Sequence, residues 1–236
     1  MTPSRFGAVH NRGDGNVVSQ GNSGDQVIST GAGRPRPEAP AGDPPRARNP
    51  VDPDPTRNVF VVHGRDEQVR RAMFVLLRAL NLRPLEWEDL VAGTGRATPF
   101  LGEVVAAAPA QAQAALVLLT PDDLVRLHPS LVHPDDPDDE RLPTGQPRPN
   151  VLLELGMVLM AYPQRTVIVE VGALRRIADL AGRNVVRFNG TVAAVRKIAG
   201  RLELAGCPVK DSGVDWLDVS MFSELEAFRR DRNAWE

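Results

Sequence analysis

From residue 58 onward, apolar runs of strand length alternate with stretches of helical period. NVFVVH (58–63) is a continuous β-branched run of the kind that fills a buried central strand. After Gly64-Arg65-Asp66 the apolar residues Val69, Ala72, Met73, Leu76 and Leu80 recur at helical spacing. Residues 82–87 predict a shorter strand, 89–99 a glycine-containing loop, and 100–108 a helix stopped near Pro109. AALVLLT (114–120) predicts a third strand, 165–170 a fourth and 184–188 a fifth, with a short helix over 173–180. Val192, Val195, Ile198, Ala199 and Leu202 mark one face of a helix over 191–204 that ends at Gly206. Strands alternating with helices in this way predict an α/β fold, a flavodoxin-like three-layer sandwich around a five-stranded parallel sheet. In such sheets ligands bind beyond the carboxyl ends of the strands.

The first 57 residues show neither period. The chain holds 21 prolines and 20 glycines, and their crowding before residue 58 predicts a disordered tail with a proline-rich linker over 33–55. Between 124 and 147 the chain carries a second proline-rich segment, with Asp135, Asp136, Asp138, Asp139 and Glu140. A solvated loop is the expectation there, since the spacing of His128 and His133 matches no ordinary ligand set and no metal site is expected. Residues 211–236, with Trp216, Val219, Phe222, Leu225 and Phe228, predict a C-terminal helical extension docked on the body.

The pattern breaks at one residue. Residues 151–161 are apolar or small except for Glu154, so a helix buried on all sides is predicted, begun by Pro149 and capped by Asn150. A carboxylate in such a helix is costly unless it is paired, hydrogen-bonded or used. Complementing the helix dipole is one role open to it; work at a site is the other.

Composition narrows the partners. Net charge is −2, which gives no field for nucleic acid or an anionic membrane. One cysteine, Cys207, excludes an intramolecular disulfide and a cysteine-built metal site. The opening residues lack the apolar core of a signal peptide and no apolar run reaches membrane length, so a cytoplasmic protein is expected.

VFVVHGRD (59–66), LLTPDD (118–123) and RPNVLLELG (148–156), in that order within five alternating strands, resemble the bacterial TIR-like domains of the predicted nucleotide-binding family, the effector type of antiphage defence. The resemblance spans residues 58–210. It implies cleavage of NAD+ to nicotinamide and ADP-ribose, linear or cyclised, with Glu154 as the catalytic residue and NAD+ as substrate rather than cofactor. It also implies self-association, because TIR-like sites are commonly completed by a neighbouring molecule. Residues 15–31, with Val17-Val18 and Val27-Ile28 about a Gly-Asn-Ser-Gly turn, resemble the short amyloid-forming signalling motifs of some bacterial immune effectors. Such a motif would link the chain to an upstream sensor protein; a flexible polar tail is the alternative.

Against this background other residues acquire expected substrate-binding roles, each with a plainer alternative. Gly64, Asp66 and the amides after the first strand would meet the substrate, the amides at phosphate with Arg65 adding charge, unless Arg65 is a surface residue beside Asp66. Trp87 would stack on a base or simply pack. Gly95 and Arg96 lie in a loop free to close, or in an ordinary turn. Asp122 and Asp123 would bind a ribose hydroxyl or cap a helix, His63 would line the pocket or be structural, and Asn150 stands beside Glu154. Two other functions share the fold: a non-catalytic TIR-like nucleotide-binding or scaffold module, and a nucleoside deoxyribosyltransferase-like enzyme, for which phosphate-directed groups would be unnecessary.

Overall fold

The computed structural model describes residues 54–230; the expectations for the N-terminal tail, its 15–31 motif and most of the linker lie outside them. The described residues belong to one compact unit.

Five parallel strands form the sheet: β1 (Asn58–Val62), β2 (Arg83–Leu85), β3 (Ala114–Leu119), β6 (Thr166–Val171) and β7 (Val186–Phe188), in the order β2-β1-β3-β6-β7. β1 and β3 are buried at every position. Their successive side chains feed two separate cores, which is why they read as unbroken apolar runs. Val59, Val61, Leu116 and Leu118 face α1 (Glu67–Ala79) and α6 (Val192–Leu204). Phe60, Val62, Val117 and Leu119 face the other layer, α2 (Trp87–Gly93), α3 (Leu101–Ala107) and α5 (Pro149–Ala161). The chain moves from β1 outward to β2 and then back across to β3. The topological switch therefore falls between β1 and β3, the place at the strands' carboxyl ends where sheets of this class bind ligands.

Helix starts follow local chemistry. Asp66 caps α1 by accepting from the Val69 amide at 2.9 Å, and Thr191 caps α6 by accepting from Ala194. After α6, Gly206 takes φ +87°, the left-handed conformation that ends a helix.

Several expected elements differ. Half of the 89–99 loop is helical, because Glu86 and Asp89 form a capping box that lets α2 begin at Trp87. The segment over 173–180 is no α-helix; one 3-10 turn, Ala178–Leu180, stands in its place. Residues 124–147 are a solvated loop over most of 126–138, where most residues are exposed, but the segment is anchored at both ends. β4 (Asp123–Val125) and β5 (Thr144–Gln146) close an antiparallel pair at its base, and the single turn α4 (Asp138–Arg141) docks on the β6–β7 crossover. There Glu140 pairs with Arg175, and Asp139 accepts from the Arg176 amide. The sequence shows acids in this insertion but not the arginines 35 residues away that they meet.

Beyond α6 the chain forms 3-10 turns at Asp215–Leu217, Ser220–Phe222 and Glu226–Phe228, with no α-helix among the described residues there. These turns strap the carboxyl ends of the sheet. Phe222 and Phe228 pack on Phe188 at 4.8 and 6.4 Å, and the Ala227 carbonyl lies where a Cβ on Gly172 would stand. Among the described residues no helix is long and apolar enough to cross a membrane.

Candidate active site

The helix α5 places the outlier carboxylate. Pro149 occupies its first position, so its missing amide hydrogen costs nothing there. The cap is Arg148, without a side-chain hydrogen bond; Asn150 lies one residue inside the helix, exposed, and caps nothing. α5 packs against β3, β1 and α3 and leads into β6. A helix that returns the chain between parallel strands runs opposite to them, so its N-terminal turns stand at the carboxyl ends of β1 and β3. Glu154 lies in the second turn of this helix, near the carboxyl-end rim of the sheet.

Glu154 is part-buried and makes no hydrogen bond or ion pair among the described residues. Burial alone raises its pKa above the ordinary glutamate value, with no neighbouring charge to offset it. This is a carboxylate held at a cost, not one spent on the helix dipole. The helix is also not buried on all sides. Val151, Leu155 and Val158 enter the core, whereas Leu153 is 57% and Met160 85% exposed. On the neighbouring α3, Phe100 at the cap is 81% exposed. The uniformly apolar sequence thus covers one core face and leaves an apolar outer face beside Glu154.

The loop after β1 is tied to the loop after β3. Asp122 accepts from the Arg65 amide at 2.8 Å and from the Thr120 hydroxyl at 2.8 Å. Its Oδ2 stands 1.7 Å from where a Cβ on Gly64 would be, so only glycine permits the contact. Asp66 spends Oδ1 on the α1 cap, while its Oδ2 lies 2.8 Å from Arg230 Nη1 in an ion pair not aligned as a hydrogen bond. Arg230 also stands 3.8 Å from Asp122. Both carboxylates are nearly fully buried. Gly64, Asp66 and Asp122 therefore build the frame of the rim, and the Arg65 side chain projects into solvent with no ion pair among the described residues.

The other expected contacts are spread around this frame. His63 contacts the Gly64 carbonyl at 2.9 Å through Nδ1, and its Nε2 faces Glu86 at 3.7 Å. Trp87 opens α2 and packs on Phe60 at 6.4 Å, joining the core that α5 also enters. Gly95 has φ +69° with open space around it, the mark of a turn. Arg96 is paired with Glu103. Asp123 pairs in register with Gln146 at the root of the insertion.

Two further residues of the rim carry no signature in the sequence. Glu86 joins Arg70, at 2.5 Å, to His63 across the β1 and β2 ends. Arg230 sits 164 positions from Asp66, and nothing local marks it. Among the described residues no cluster of metal-ligating side chains occurs.

Residues 58–190, more than half of the chain, match the model of the family described as CAP12/Pycsar effector protein, TIR domain. A search of curated proteins finds no match. The matched span opens at β1 and ends just after β7, enclosing the sheet, the topological switch and Glu154 while leaving out α6 and the C-terminal strap. Sheet order, motif order and family match agree: the chain belongs to the TIR-domain family of CAP12/Pycsar effectors of antiphage systems.

Proposed function

We propose that the protein is an NAD+ glycohydrolase that cleaves the bond between nicotinamide and ribose, with Glu154 as its catalytic residue and self-association as the condition for activity. The observation that carries this reading is Glu154 itself: a part-buried carboxylate without a hydrogen bond or ion pair among the described residues, in the second turn of a helix of a TIR domain. Nicotinamide is a pyridinium in NAD+ and departs neutral, so its departure needs no general acid. The barrier lies in forming an oxocarbenium-like ribose, as in glycoside hydrolysis. A single fixed carboxylate stabilises that charge, most strongly where water is excluded, and also accepts from ribose hydroxyls. Arg65, free of ion pairs at the β1 end, is the cation available to the pyrophosphate, and His63 and Trp87 follow the carboxyl ends of β1 and β2.

The outer face of α5 supports the requirement for assembly. Leu153, beside Glu154 in sequence, and Met160, two turns on along the same face, present apolar surface, and a second chain seated there would also withdraw the site from water. The test is nicotinamide release from NAD+ followed over increasing protein concentration. Specific activity rising steeply with concentration supports the reading. Absence of release from folded protein that light scattering shows to be assembled would favour a binding module instead.

A further inference from the structure

A concavity lies two strands away from the topological switch. The crossover from β6 to β7, residues 172–185, carries only the turn Ala178–Leu180 where doubly wound sheets usually place a helix. The free edge of β7 is therefore uncovered, and a groove of about 1270 Å³ runs along it. Glu154 is not among its lining residues.

Its lining is strongly biased in charge. Six cations, Arg175, Arg176, Arg183, Arg187, Lys197 and Arg201, meet one carboxylate, Glu170, in a chain whose net charge is −2. Glu140 engages Arg175, and Glu170 reaches Arg187 only at 3.7 Å. Arg176, Arg183, Lys197 and Arg201 have no ion-pair partner among the described residues. Cations gathered along one groove favour an anionic ligand. Phe228 adds a different chemistry: its ring, packed on Phe188, forms part of the same wall and remains partly exposed. Cations beside an accessible aromatic face match a ligand that is phosphate at one end and flat at the other.

We propose that the β7-edge groove is a nucleotide-binding site distinct from the Glu154 site, holding the phosphates on the cations of the crossover, β7 and α6 and the base against Phe228. The site does not depend on NAD+ cleavage. Isothermal titration calorimetry of the full chain with ATP, inorganic tripolyphosphate and a short single-stranded oligothymidine separates the possibilities. ATP should bind at one per chain, more tightly than tripolyphosphate, and with an affinity that falls as salt rises. Joint Arg183→Glu and Lys197→Glu substitution, at two exposed positions without ion-pair partners among the described residues, should weaken ATP at least about tenfold without changing the melting temperature of the free protein. Phe228→Ala should weaken ATP while leaving tripolyphosphate unchanged.

Four results would overturn the proposal. They are no ATP binding, ATP binding indifferent to the charge reversal, tripolyphosphate bound as tightly as ATP, and oligothymidine bound far more tightly than ATP. The last would make the groove a nucleic-acid channel. The third would make it a bare anion patch, and the first two would leave the cations as protection of the sheet edge against pairing.

Discussion

Glu154 carries its burial cost in a form that can be measured. Its pKa is raised in the folded protein, so the native state holds a proton over a pH window in which the unfolded chain has already lost it. Stability accordingly falls as pH rises from the ordinary glutamate value through the folded one, and the whole penalty is present above the folded value. Glu154→Gln should therefore melt above the parent at pH 7.5, with the gap closing as pH drops into the ordinary carboxylate range. Equal melting temperatures at both pH values would mean that the carboxylate is not destabilised. Gly64 makes the opposite case. A Cβ there would stand 1.7 Å from Asp122 Oδ2, and the displaced carboxylate is nearly buried and holds the Arg65 amide. Gly64→Ala should cost roughly 2 kcal/mol or more in urea denaturation, whereas Gly95→Ala, with open space around it, should cost only the strain of its positive φ.

Elements are legible in the sequence where side chains report their own surroundings. β1 and β3 read as buried because they are buried on both faces, and α1 and α6 read from one-sided periodicity. The sequence of α5 misleads because apolar composition cannot distinguish a helix enclosed by its own chain from one whose outer face is open. That face allows a direct test. Met160→Glu adds a charge to a side chain that touches little, so monomer stability should change by less than ~0.5 kcal/mol. Assembly by light scattering should be lost, and nicotinamide release should fall by roughly an order of magnitude. Full activity in a monomeric Met160→Glu protein would separate catalysis from assembly. The insertion and the β6–β7 crossover are illegible for a related reason. Each is fixed by contacts with the other, between Glu140 and Arg175 and between Asp139 and Arg176, and neither has a period of its own.

Across the whole molecule the fold class, the strand alternation and the place of Glu154 can be argued from the chain alone, whereas the construction of the rim cannot. It depends on the Asp66, Asp122 and Arg230 cluster, which joins the ends of β1 and β3 to a segment beyond the matched family domain. Asp66 and Asp122 therefore read as candidates for substrate, while the structure spends both on holding loops together. Removing Arg230 leaves two nearly buried carboxylates facing each other without their cation. Because the guanidinium is itself about a third exposed, the loss from Arg230→Ala should be on the order of 1–3 kcal/mol rather than the larger value of a fully buried pair. Proteolysis should show the 211–230 segment released before the sheet unfolds. Unchanged stability and cleavage would mean that the strap is held by Phe222 and Leu225 alone.

The most direct test of the account compares nicotinamide release from NAD+ by the parent protein and by Glu154→Gln, both assembled to the same degree and at the same concentration. The substitution keeps the shape of the side chain and removes its charge. Release by the parent, reduced at least about a hundredfold in the variant, is the predicted result. Equal release by the two proteins would show that cleavage does not pass through Glu154, and the uncompensated carboxylate would need another explanation.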